Sequence, residues 1–166
     1  MRLTRLAACR SLVGCLFTLA LAAPALAQPG PATVLELAAQ QKNLTTFVQA
    51  VHTAGLDDML RGAGPITVYA PSDEAFAKLP AAERASLLAS PDRLRALLLG
   101  HLVNERVMMH DGENWVTSGS IANAAGRELA FGMDDHDRQT VAGAHLVAID
   151  LRAANGCLDV IDRVLI

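Results

Sequence analysis

Cysteine is the first shortage in this chain. Only Cys9, Cys15 and Cys157 are present, and the first two fall in a segment that reads as a removable leader. The exported chain then keeps Cys157 alone. One cysteine makes no intramolecular disulfide. The domain must be held by its core, or be bridged to a second copy through Cys157. Basic side chains are the second shortage. Removing residues 1–27 takes away three of the 14 Lys and Arg and none of the 17 Asp and Glu, so the formal charge becomes 11 − 17 = −6. An acidic domain without a basic stripe is a poor ligand for nucleic acid. It also lacks the polybasic segment that holds a protein on an anionic membrane. Beyond the leader there is no second long apolar run, no internal repeat and no low-complexity tract.

The leader has the three parts of a secretory signal. Arg2, Arg5 and Arg10 are its basic start, residues 12–23 its apolar stretch, and Ala25-Leu26-Ala27 its small-x-small cleavage site. The apolar run is short of the roughly 20 residues a membrane span needs, and Pro24 closes it. A lipoprotein-like Leu12-Val13-Gly14-Cys15 precedes the apolar run instead of following it, so lipidation of Cys15 is not expected. The expected organisation is a signal peptide over 1–27, a Pro/Gly-rich tether over 28–32, and one domain over 33–166. That domain is long enough to bury a proper core.

Helix signals crowd the first half. Thr33-x-x-Glu36 is a capping box before an apolar run, and Asn43 is expected to cap a second helix ending at Gly55. Pro80 and Pro91 sit where further helices begin. After about residue 105 short β-prone runs take over, at 107–109, 128–131, 140–141, 145–150 and 157–165, punctuated by Gly112, Gly126, Gly143 and Asn155-Gly156. Helices first and strands later predict an α+β domain, not alternating α/β.

The stretch "TVYAPSDEAF" joins a strand to a helix abruptly. Pro71 stops the strand, Ser72 caps the helix, and Asp73 and Glu74 suit its positive end. Those acids repel phosphate, and Ser72 has no flanking glycines, so neither an anion cradle nor a nucleophile elbow is expected. "ITVYAPSDEAFAKLP" resembles the first signature box of fasciclin domains. "LLLGHLV" is similar to that family's tyrosine–histidine region, and "NGCLDVIDRVLI" to its closing box. "TVLELAAQQKNLTTFVQAV" and "VAGAHLVAIDL" also fit, in the same order. The resemblance implies a wedge of β-strands with helices packed around it. It further implies an exported adhesion or interaction module without catalytic activity. Its signature positions here are Thr67, Pro71, Ser72, Asp73, Phe76, His101, Asn155, Gly156 and Asp162. Three positions depart from the pattern: Gly100 replaces the tyrosine, Asp159 stands where a histidine is frequent, and the chain stops at Ile166 where a proline usually follows.

Two readings stand for His101: a hydrogen-bonded residue at the core edge, on the face of Leu94, Leu97 and Leu98, or a partner contact implied by the resemblance. No serine or cysteine nucleophile can be placed beside it. Met108, Met109 and Trp115 flank the polar turn 110–114 and are weak partner-binding candidates. The run Asp134-Asp135-His136-Asp137 lacks the spacing of a calcium loop or a zinc site and reads as an exposed acidic turn. No metal or cofactor is expected. Alternation places Leu158, Val160, Asp162 and Val164 on one face of the last strand, where Asp162 would tie that strand to another element, for example the 67–72 junction. Cys157 would face the other way as an inert buried thiol. Two functions follow: adhesion or protein binding in the periplasm or outside the cell, or carriage of a small ligand such as a glycan or lipid.

Overall fold

The computed structural model describes residues 32–108 and 119–166. The leader, most of the tether, and Met109, Trp115 and the 110–114 turn lie outside those residues. Six helices and seven strands follow in order. Helix α1 (Val34–Gln40) begins at the capping box, with Thr33 and Glu36 exchanging their bonds. Helix α2 (Thr45–Ala54) ends at Gly55 in the left-handed conformation, but its N-cap is Leu44 and not Asn43. Asn43 serves through its backbone instead, accepting a bond from Asp73 N. Helix α3 (Asp57–Arg61) is one further turn. Strand β1 (Ile66–Pro71) runs into α4 (Asp73–Ala77) through Ser72, whose hydroxyl accepts from Ala75 N. Helix α5 (Ala81–Leu88) starts after Pro80, and α6 (Pro91–Leu99) carries Pro91 in its first turn.

The remaining strands are β2 (Leu102–Val103), β3 (Gly119–Ala122), β4 (Glu128–Met133), β5 (Gln139–Val141), β6 (Ala144–Ala153) and β7 (Gly156–Ile161). All seven strands join in the order β2-β1-β7-β6-β5-β4-β3. Among the described residues, only β1 and β7 pair in parallel. Both are buried along their whole length, as a central parallel pair covered on two faces must be. Val68, Ala70, Leu158 and Val160 face the helical core with Phe47, Phe76 and Leu98. Tyr69 and Ile161 face a second, smaller core with Val103, Phe131 and Val141. The fold is thus the α+β wedge the sequence predicts, with helices mainly in the first half.

Two expectations need correction. Residues 107–108 are not a strand, whereas Leu102–Val103 and Gly119–Ala122, where no strand is expected, are strands. The last strand stops at Ile161, so Asp162 lies beyond it and is only partly buried. Alternation could not mark an inner face on β7 because both faces are inner.

Candidate functional site

The abrupt strand-to-helix junction around Pro71 and Ser72 is architectural. Ser72 N donates to Ile161 O, and Pro71 registers with Ile161. Asp73 reaches back to α2: its carboxylate accepts from Thr45 Oγ1 at 2.6 Å and Thr46 N at 2.7 Å. The helix that lacks a cap of its own is therefore capped from 27 residues away. Thr67 donates to Glu105 O and accepts from Val107 N, pinning the chain after β2. Phe76 is buried in the helical core. Asn155 accepts from Val34 N and donates to Leu60 O and Gly62 O, so it joins the start of α1 to the end of α3. Gly156 allows β1 to approach, since a Cβ there would lie 1.9 Å from Ile66 O.

His101 is fully buried, and not at the edge of the core. Its Nδ1 lies 2.8 Å from Leu97 O, and its Nε2 lies 2.9 Å from Leu165 N. The carbonyl only accepts, so Nδ1 carries the proton and Nε2 accepts from the Leu165 amide. Burial pushes the ring pKa down to about 4, with the nearby Arg127 charge acting the same way and the Leu97 bond opposing. A neutral ring with both nitrogens engaged inside the chain has no atom to offer a partner. It clamps the C-terminal segment onto the end of α6.

That clamp builds one wall of a groove. A cavity of 580 Å³ lies among the C-terminal segment, α4, Gly100 and the β3–β4 turn. A second, of 410 Å³, continues it over α5 and α6 and shares Leu79, Arg127 and Ile166 with the first. Asn123 fixes the turn: its Nδ2 donates to Gly100 O, and its Oδ1 accepts from Ala125 N and Arg127 N. Gly100 has a specific role here. A Cβ at that position would lie 2.7 Å from Arg127 Nη2 and 2.9 Å from Leu97 O, so the guanidinium and the helix-end carbonyl both crowd the space a side chain would take. The departure from tyrosine and the placement of Arg127 are one feature. Arg127 and Arg163 both border the groove and are exposed. Sequence reasoning found Gly100 but not the groove, whose walls come from four parts of the chain.

Asp162 accepts from His145 N at 2.9 Å and from Lys78 Nζ at 3.1 Å. It thus ties β6 and the end of α4 together, not the 67–72 junction. Although burial opposes ionisation, the bonds from His145 and Lys78 hold its pKa below the usual carboxylate range. Asp134 caps its hairpin turn, accepting from His136 N and Arg138 N, and pairs with Arg138 and His145. Those backbone bonds, the Arg138 amide first, hold its pKa well down. Met108 is half-buried. Cys157 is completely buried. The expected bridge through Cys157 to a second copy is therefore corrected: the folded chain does not present the thiol. Burial, then the nearby Asp159 and Asp150, pushes its pKa up to about 12, so it is unreactive as a nucleophile.

A helix-flanked β-wedge with a lateral groove, and with a histidine engaged by backbone atoms on both sides, is a binding domain of the fasciclin type. The chain belongs to this family: the Fasciclin domain matches it over residues 42–166. It is 37% identical to Protein sll1483 of Synechocystis sp. over 81% of this chain and 73% of that protein. It is 34% identical to the transforming growth factor-beta-induced protein ig-h3 of Sus scrofa over 73% of this chain, a match that takes in 17% of that longer protein. Among solved structures, a FAS1 domain pair from the insect cell adhesion molecule fasciclin I superimposes with a TM-score of 0.68. It does so over 81% of this chain and 51% of that one, at 17% identity, and so supports the fold.

Proposed function

We propose that this chain is an exported, non-catalytic binding module that works by adhesion or protein–protein interaction in the periplasm or the extracellular space. Residues 1–27 direct export, 28–32 form a tether, and 33–166 are the binding domain. The partner is a protein or another component of an envelope or extracellular surface, and nucleic acid is not among its ligands. The observation that carries this reading is the groove, where three exposed guanidinium groups, Arg93, Arg127 and Arg163, and Lys78 outnumber the lining acids Glu83 and Glu128 and stand beside apolar walls on an otherwise acidic domain. An acidic partner segment with apolar side chains fits that combination. The size of the two cavities favours a second reading, a carrier of a small glycan or lipid, because they fall within the range of ligand sites.

Affinity capture from the native envelope separates these readings. The wild type is compared with Arg127→Glu and Arg163→Glu. Both side chains are exposed, so melting should shift by no more than about 0.5 kcal/mol in stability. A captured protein lost in both variants supports the interaction module. Small-molecule mass with no captured protein supports the carrier. Capture unchanged by either reversal removes the groove from the account.

A further inference from the structure

A second constellation, on strands β6 and β7, shares no residue with the lining of the groove. Asp150, Cys157 and Asp159 bring one ligand atom each to within 4.8 Å of one another. The strands explain how. Cys157 and Asp159 are two residues apart on β7 and share a face. Between the Ala148–Val160 and Leu151–Leu158 pairs of β6 and β7, Ile149 and Asp150 oppose Asp159 alone. This is a β-bulge, with Asp150 at a φ of 55°. Bulges re-aim side chains. Here Asp150 N is aimed at Asp159 Oδ1, at 2.7 Å, and the Cys157 thiol lies 4.0 Å from Asp150 Oδ1.

An independent group points into the same space. Tyr69 is the parallel-strand neighbour of Asp159, is fully buried, and has no hydrogen-bond partner for its hydroxyl. Asp159 Oδ2 is likewise buried without a partner. Leaving such buried groups without a partner is costly. Burial first, then the charges of Asp159, Cys157 and Asp150, raises the Tyr69 pKa. Burial likewise pushes Asp159 up to about 7. Arg106 adds a compensating positive charge near Cys157. Asp150 is only partly buried and leaves a way in.

We propose that Asp150, Cys157 and Asp159, with Tyr69 beside them, bind one divalent cation of the zinc type. Thiolate excludes magnesium and calcium as preferred ions, while mixed sulfur and carboxylate oxygen suits zinc. Binding releases the thiol proton, and any proton on Asp159, to solvent, with no redox change. The site is independent of the groove and of the partner reading. It went unseen in the sequence because its ligands depend on a bulge and on a neighbouring strand 90 positions from Asp159.

The test uses the whole exported protein, stripped with chelator and titrated with Zn²⁺ and separately with Co²⁺. One ion per chain, a rise in melting temperature with zinc, and a thiolate-to-cobalt charge-transfer band are expected. Cys157→Ser should abolish the band. Asp159→Asn should weaken zinc binding by at least about tenfold, the loss that even outer-shell changes produce. This substitution removes a buried carboxylate charge, so the metal-free variant should fold. A wild type that gives no thiolate band with cobalt, or zinc binding unchanged by Asp159→Asn, overturns the proposal.

Discussion

At the scale of single residues, His101 is the most consequential side chain. Its neutral ring links Leu97 O to Leu165 N in the dry interior, so replacement leaves the buried Leu165 amide unpaired, while Leu97 O keeps its bond from Gly100 N. His101→Ala should destabilise the domain by about 1–3 kcal/mol, read from denaturant unfolding. The pH dependence has a definite sign. The folded pKa, about 4, lies below the ordinary 6.5, so the unfolded chain binds the extra proton first. The stabilisation is fully present above pH 6.5 and is lost as pH falls towards 4. The gap between wild type and His101→Ala should therefore narrow across that window. A gap constant from pH 7 to 4 would mean that the ring is not held neutral in the folded state.

At the scale of elements, helices here are completed by residues from elsewhere. Asp73 supplies the missing cap of α2, and Asp73→Ala should cost about 1 kcal/mol. Hydrogen exchange at the first turn of α2 should quicken, while β7, which meets none of those bonds, stays protected. Asn123 does the same work for the β3–β4 turn, making three hydrogen bonds from a buried position. Asn123→Ala should release Arg127 from the end of α6, with faster exchange of the Ala125 and Arg127 amides. Unchanged exchange there would show that the turn is fixed by its backbone alone.

At the scale of the whole molecule, the proposed export would set the charge of the domain. Removal of the proposed leader would take three arginines and no acid, leaving an acidic body on which the groove's cations stand out. Intact mass of the exported protein should correspond to a chain beginning at Gln28. A mature chain that keeps residues 12–27 would instead be held at the membrane by its leader. Among the described residues, no helix is long and apolar enough to cross one.

The sequence by itself determined that helices come first and strands later, the capping box at Thr33, the Ser72 junction and the resemblance to the fasciclin family. Each rests on hydrogen bonds or steric limits that act within a few residues, and spacing records those directly. The sequence also marked Gly100, Asp159 and Asp162 as departures or odd polar positions, but not what they do. Only the tertiary structure decided that Asp73 caps α2, that Arg127 crowds the space over Gly100, and that Asp162 answers to His145 and Lys78. It also decided that β7 is buried on both faces, which defeats any reading by alternation. The physical reason is common to all of these. A hydrogen bond between residues 17, 27 or 84 positions apart exists only after the chain has closed on itself, and no local pattern encodes which distant strand or helix will arrive.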